Sequence, residues 1–416
     1  MILKNKNTIN SEIINNISSL SNSTPTYVYY ENILKSRCND LQNFIKILGV
    51  NAQIHYSTKA NSNPNILKII NEAGISFDAM SEGEFLALEM AGVNLNKILF
   101  VANNLTEEDL KFVISKNLIP VLDSLDQVKL YGKLLLNGKF AVRFNLGIGA
   151  GHNSKTVTGG IGSKFGITEQ DISELLDITH TYNLNLVGIH QHIGSGYDEP
   201  TKFIDGAKVL LEVANKYFNN LEFIDFGGGF GIPYKPDEKS INLEELALSF
   251  KPVLDEFLST YSNKDVLFKF EPGRYIVAES SIIIGKVTSV KKNFEEIFVG
   301  TNVGFNYLIR PAMYESYHHI SFIQANDELR NENIAITVSG NVCESGDILA
   351  KNRIVNILPE VGDFVVIEDT GAYGFSMCSN YIGKPKPAEV LVKEDNSIVL
   401  IRNKENIKNI FSEIII

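Results

Sequence analysis

The stretch Gln53-Ile54-His55-Tyr56-Ser57-Thr58-Lys59-Ala60-Asn61-Ser62-Asn63-Pro64 decides how this chain is read. Its first four residues form a short strand-like run, and the asparagine-rich turn after Lys59 ends that run before a segment of helical periodicity begins. A lysine at a strand end is ordinarily a solvated surface charge. It can also present its amine where a carbonyl group is held covalently. The rest of the chain decides between these readings.

From this point the same alternation recurs: a short apolar run ending in small or polar residues, then a longer segment of helical period. The spacing predicts strands at 53–56, 75–78, 97–101, 119–123, 140–145, 186–191, 221–226 and 266–271. Between them lie helix-like stretches such as 82–91, which opens on Ser81 as N-cap and closes on Gly92, and 107–115, with acidic residues in its first turn. Alternating strands and helices imply parallel strands with right-handed crossovers, and eight such units close into a parallel (β/α)8 TIM-type barrel. An open doubly wound sheet is the alternative. The charged, proline-containing stretch 235–243 reads as an exposed loop of the barrel.

After Val277 the texture changes to β-branched runs at 281–290, 297–300, 334–339, 363–368, 389–392 and 398–402, with one helix-like segment at 311–319. Glu394-Asp395-Asn396 is a turn signal between the last two runs. The expectation is an α/β + β chain: a barrel over 33–279, then an antiparallel β-sandwich or Greek-key domain over 280–416, joined by a strand from 1–32, at Thr26 to Tyr29.

Composition narrows the function. With 44% hydrophobic and 21% charged residues the chain is an ordinary globular one. A net charge of -11 argues against nucleic-acid or anionic-membrane partners. Cys38, Cys343 and Cys378 are too few and scattered for a disulfide framework or a four-ligand zinc site. The first 20 residues hold no apolar stretch long enough for a signal peptide or a membrane span, so a cytoplasmic protein is expected.

Barrel chemistry sits at the C-terminal strand ends. There this chain places Lys59, then His190-Gln191-His192-Ile193-Gly194-Ser195-Gly196, then Gly227-Gly228-Gly229-Phe230-Gly231, and last Glu271-Pro272-Gly273-Arg274. Successive glycines after a strand let backbone N–H groups approach a phosphate, although such a run is also a common flexible turn. A dinucleotide site is disfavoured, since no acidic strand end follows about 20 residues on. His190 and His192 share a strand face and suit a metal, yet His180, His318 and His319 are poorly placed to complete a site, and an imidazole stacked on an aromatic ring fits better. No metal is expected. Glu271 at a buried strand end needs a partner; a salt bridge to Arg274 would serve, and a pyridinium nitrogen also explains the other three pieces. Lysine, phosphate loop, stacking ring and carboxylate together describe a pyridoxal 5'-phosphate site.

The segments 56–61, 190–196, 225–234, 271–278, 308–314, 343–347 and 371–381, in that order, resemble those of the diaminopimelate decarboxylases, within the alanine-racemase-fold group of pyridoxal phosphate enzymes. The likeness runs from about Thr26 to Val392 and includes Gly-His-Asn-Ser-Lys-Thr and Ser-Lys-Phe-Gly-Ile within 149–167. The resemblance implies that Lys59 forms the Schiff base and that His192 stacks on the ring. It implies that Ser195, Gly229 and Glu271, Pro272, Gly273 and Arg274 bind the cofactor, and that Asp78, Glu84 and Arg143 support the lysine and the pyridine nitrogen. Tyr373 would touch phosphate and substrate. Arg274, Arg310, Tyr314 and Glu344 would complete the substrate set, and Cys343 would donate the proton. In the family Cys343 and Glu344 reach into the neighbouring subunit's site, implying a homodimer.

The implied reaction is decarboxylation of meso-diaminopimelate to L-lysine. Arginines suit its second carboxylate and Glu344 its second ammonium. Decarboxylation of another amino acid or of a conjugated one, a racemase, which would carry a tyrosine as second base, and an inactive regulatory homologue are the alternatives. Asn302 stands where the family commonly has an acidic residue, and Ile382 and Lys384 depart from the family's Tyr-Asn-x-Arg-Pro.

Overall fold

The computed structural model describes every residue except 1–2, 5–6, 23, 150–157, 161, 197–199, 325–332, 356–357 and 416. The chain divides into two compact units: Lys35–Ile232 with Lys239–Ile276, and Met1–Leu34 with Pro233–Glu238 and Val277–Ile416. Of the stretch 235–243, read from sequence as a barrel loop, 235–238 belong to the second unit and 239–243 to the barrel.

After β1 (Thr26–Tyr30), which belongs to the second unit, come the eight strands of the first: β2 (Ala52–Ser57), β3 (Ser76–Ala79), β4 (Ile98–Val101), β5 (Pro120–Leu122), β6 (Lys139–Arg143), β7 (Asn185–His190), β8 (Phe223–Asp225) and β9 (Leu267–Phe270). They close into a parallel barrel in chain order, with β9 returning to β2. Helices lie between the strands as the hydrophobic spacing predicted; Glu82–Met90 is capped by Ser81, whose Oγ accepts from Glu84 N at 3.2 Å. Within the barrel, Leu99, Val101, Val121, Ala141, Val187 and Phe223 form an apolar cluster. The polar residues lie toward the strand ends.

The second unit is built on β10 (Ser281–Asn293), β11 (Glu296–Thr301), β12 (Ile320–Ile323), β13 (Ile334–Ser339), β14 (Ile348–Val355), β15 (Phe364–Ile367), β16 (Ala388–Val392) and β17 (Ile398–Arg402). With β1 they form one nine-stranded sheet of order β14-β13-β11-β10-β1-β16-β17, with β15 pairing β10 and β12. Thr26–Tyr30 lies between β10 and β16 in this sheet. The sheet is mostly antiparallel, with two corrections to a purely antiparallel reading: β1 runs parallel to β16, and β11 parallel to β13. The expected helix at 311–319 is only Arg310–Tyr314, because Glu315 adopts a left-handed φ of 54° and ends it.

Helix Ser11–Ser21 was not predicted from the sequence. Asn10 caps it, accepting from Ile13 N at 2.8 Å, and Ile9, Ile14 and Ile17 are buried with Val28, Ile282, Ile284, Val366 and Val390. Ile9 before the cap and Ile14 one turn in form a hydrophobic staple. Among the described residues no helix is long and apolar enough to cross a membrane.

Candidate active site

Strand register alone gathers the barrel's polar residues. His190 pairs with Arg143 on one side and Asp225 on the other, and Ser57 pairs with Asp78. Lys59 follows β2 in the short turn Thr58–Ala60 and interacts electrostatically with Asp78, Glu84, His190, His192 and Glu271. Gly273 allows this turn its close approach, since a Cβ there would lie 2.9 Å from Ser57 Cβ and 3.1 Å from Ala60 Cβ.

Asp78 is buried and accepts from Ser57 Oγ at 2.7 Å, while Thr58 Oγ1 donates to its backbone oxygen at 2.6 Å. Burial raises its carboxyl, and Lys59 opposes that rise. Glu84 accepts from Met80 N at 2.8 Å, and burial lifts its carboxyl to about 7. Glu271, 4% exposed, bonds His190 Nε2 at 3.1 Å. Its expected rival partner, Arg274, sends Nη2 instead to Ser195 Oγ at 3.0 Å. Burial lifts both Glu271 and Asp225 to about 8, and it depresses His190 to about 3. Ligand atoms of His190, Asp225 and Glu271 all lie within 4.8 Å of one another.

The two histidines have separate tasks. His190 backs Glu271, whereas His192 Nδ1 accepts from Gly228 N at 3.2 Å. Burial and nearby Arg143 and Lys59 hold His192 well below the usual imidazole range, so its ring is neutral and flat. Gly227 has a φ of 70° and Gly229 of 104°, and a Cβ on Gly228 would fall 1.9 Å from Glu271 O. Gly196 N donates to Gly229 O at 2.8 Å, tying the two glycine-containing loops together. Arg143 lies over the Phe165 ring at 4.5 Å, in the expected Ser-Lys-Phe-Gly-Ile segment. The Gly-His-Asn-Ser-Lys-Thr string lies outside the described residues.

The second unit places the remaining candidates on loops. Arg310 is 1% exposed; Nη1 donates to His318 Nε2 at 2.8 Å, Nη2 to Ser316 Oγ at 3.3 Å, and the guanidinium covers the Tyr234 ring at 4.6 Å. Tyr314 closes the helix that Arg310 opens. Tyr373 has a φ of 57° in the glycine-flanked turn after Thr370. Cys343 and Glu344 are exposed on a loop held by Asp347, whose carboxylate accepts from Val342 N and Phe305 N, each at 2.7 Å. Tyr381 Oη donates to Glu344 Oε1 at 2.5 Å. Among the departures from the family pattern, Asn302 accepts from Lys286 N at 2.7 Å and donates to Thr24 Oγ1 at 3.0 Å, and Lys384 Nζ donates to Asn341 O at 3.0 Å. The donor role of Asn302 is one that an aspartate cannot fill.

Residues 33–278 match the family of pyridoxal-dependent decarboxylases, pyridoxal binding domain. The chain belongs to the pyridoxal-dependent decarboxylases. This decarboxylase is 36% identical over 394 residues to the diaminopimelate decarboxylase of Methanothermobacter thermautotrophicus, covering 93% of this chain and 90% of that one. It is 35% identical to that of Escherichia coli, with 93% of each chain covered. The crystal structure of diaminopimelate decarboxylase from Helicobacter pylori complexed with L-lysine has a TM-score of 0.83 at 29% identity, covering 94% of this chain and 96% of that one.

Pyridoxal 5'-phosphate is the cofactor of the decarboxylase, and the barrel fits it. Among the described residues Glu271 Oε1 and Asp225 Oδ2 are buried without a hydrogen-bond partner, and ligand atoms of the two carboxyls lie within 4.8 Å of each other. A protonated ring nitrogen supplies the donor and the positive charge that this pair lacks. The glycine turns after β7 and β8 leave the space without side chains that a phosphate needs. Asp225 and Lys269 were absent from the sequence-derived site. A carboxylate ending a buried strand just before three glycines was the available signal for the first; Lys269, buried opposite Asp225 in the ladder, had none.

Proposed function

We propose that this decarboxylase removes one carboxylate of meso-diaminopimelate and releases L-lysine and carbon dioxide. The observation that carries the reading is the buried Glu271–His190–Asp225 cluster beside Lys59, on a chain whose relatives of nearly equal length are named for that activity. When bound, the cofactor supplies an electron sink for the pair left by the breaking bond between the α carbon and its carboxylate.

The chain's own residues do the rest. Lys59 holds the cofactor's aldehyde carbon, with Asp78 and Glu84 as its counter-charges. Glu271, backed by His190 and by Arg143, keeps a proton on the ring nitrogen. His192 covers the ring face. Ser195, Gly229, Pro272, Gly273, Arg274 and Tyr373 bind around ring and phosphate. Arg274, Arg310, Tyr314, Glu344 and Tyr373 bind the substrate, the arginines at its second carboxylate. Cys343 returns a proton to the α carbon, its S–H serving as the general acid. Exposure of Cys343 and Glu344 supports a homodimer in which each chain lends this loop to its partner. The reducing cytoplasm suits its three free cysteines.

The test is carbon dioxide release from meso-diaminopimelate, lysine, ornithine and arginine, paired with borohydride reduction and peptide mapping. Release from meso-diaminopimelate far above the others, with the cofactor fixed on the Lys59 peptide, is the expected result. Preference for a substrate without a second carboxylate, or attachment at another lysine, overturns the proposal.

A further inference from the structure

His318 has no part in the reading above, yet it is fully buried and meets the candidate substrate residue Arg310 through a directed bond. Arginine carries no acceptor, so in the 2.8 Å contact Arg310 Nη1 donates and His318 Nε2 accepts. The other ring nitrogen then carries the hydrogen, and Nδ1 donates to Glu368 O at 2.8 Å. One tautomer satisfies both contacts. A protonated ring would place a donor against the guanidinium and break the first.

The backbone on both sides of the ring is fixed. His318 lies just before β12, whose first residue Ile320 pairs with Ile367 of β15, and Glu368 N donates to His319 O at 2.9 Å. The Tyr234 ring meets His318 edge-on at 5.6 Å and lies under the Arg310 guanidinium, while Ser316 accepts from Nη2. These contacts use one hydrogen on each terminal nitrogen of Arg310 and set the plane of its fork. An arginine side chain has several rotatable bonds, so a fork that must meet a carboxylate in two-point geometry binds best when held in place beforehand.

We propose that His318 is a positioning residue for substrate recognition: it holds the Arg310 guanidinium at the angle that reads the second carboxylate. This rests on the assignment of Arg310 to the substrate. Histidine can be dissected by isosteres, since glutamine keeps an acceptor near Nε2 whereas asparagine keeps only a donor near Nδ1. The readouts are KM and kcat for meso-diaminopimelate on the cofactor-loaded protein, and the inhibition constant of the product L-lysine, which retains the second carboxylate. The probe without that carboxylate is 1,5-diaminopentane.

His318→Asn should raise KM and the L-lysine inhibition constant together by about tenfold, with kcat within about threefold and inhibition by 1,5-diaminopentane unmoved. His318→Gln should stay within about threefold of the parent on every readout. Arg310→Ala, the reference, should lose roughly ten- to a hundred-fold in kcat/KM. If Arg310→Ala loses and His318→Asn does not, or if His318→Asn weakens both inhibitors equally, the inference is wrong and the substrate assignment stands. If Arg310→Ala itself leaves KM and L-lysine inhibition unchanged, the substrate assignment fails instead. Should His318→Asn not fold, Ser316→Ala decides: a KM increase of about threefold supports the bracket, and none overturns it.

Discussion

The barrel mouth and the loop around Asp347 are both polar, and they differ in how their polar atoms are satisfied. At the barrel mouth Glu271 Oε1, Asp225 Oδ2, His190 Nδ1 and Arg143 Nη2 are buried without a hydrogen-bond partner in good geometry among the described residues. Around Asp347, by contrast, both carboxylate oxygens take backbone N–H groups, and Glu344 and Lys384 each have a partner. Each unmet buried group costs about 1–3 kcal/mol. The first region is therefore incomplete as protein alone and is finished by a ligand. The second stands by itself and offers Cys343 and Glu344 outward.

The sharpest way to break this contrast is at Glu271. Burial places Glu271 and Asp225 near 8, above ordinary carboxylate values, so between roughly pH 5 and 8 the folded cofactor-free chain keeps protons that the unfolded chain has released. The pair's contribution to stability is then greatest at the acid end of that window and falls as pH rises, while His190 and His192, held neutral by burial, contribute in the opposite sense at its acid end. A cationic ring nitrogen lowers the folded pKa and flattens the fall. Thermal midpoints across this range should drop more steeply without cofactor than with it, and Glu271→Gln should flatten the cofactor-free curve. Reloaded Glu271→Gln should decarboxylate roughly a hundred-fold or more slowly. Equal slopes with and without cofactor would show that the carboxylate pair is already neutralised within the fold.

The outward-facing loop is tested by complementation. Lys59→Ala and Cys343→Ala proteins should each be inactive. If sites are shared across a dimer, random exchange makes hybrids with one intact site, and up to about a quarter of parental activity returns. Demonstrated subunit exchange with no recovery would confine Cys343 to its own chain.

The smallest effect concerns Ile382, a β-branched residue at φ 53° beside Tyr381, which holds Glu344. That region of backbone is costly for such a residue and easy for asparagine. Because Ile382 is 45% exposed, Ile382→Asn loses little packing and should stabilise the protein by about 1 kcal/mol, read as a higher urea midpoint. No gain would mean that the turn stores no strain.

All eight barrel strands were legible because each is a buried apolar run bounded by a turn or a helix, and local chemistry suffices to see that. The same reading missed β12 and β14. The first is only four residues long, and the second has its alternation interrupted by Asn352 at φ 49° and by register shifts against β13. Helix Ser11–Ser21 escaped notice because few of its positions are apolar, although Asn10 and the Ile9 and Ile14 staple were visible. His190 and His192 stood out as a pair, but their division of labour depends on Glu271 and Gly228, which lie far along the chain.

The sequence by itself determined the barrel, the β-rich second half, the lysine turn and the glycine loops, because strand periodicity and left-handed turns are properties of neighbouring residues. Only the tertiary structure decided that β1 pairs in parallel with β16, that Asp225 and Lys269 face each other, and that His318 takes the Arg310 bond. Those facts depend on which groups burial leaves opposite one another. In a low-dielectric interior a charge or an unmet donor is settled by whichever partner the fold brings within reach.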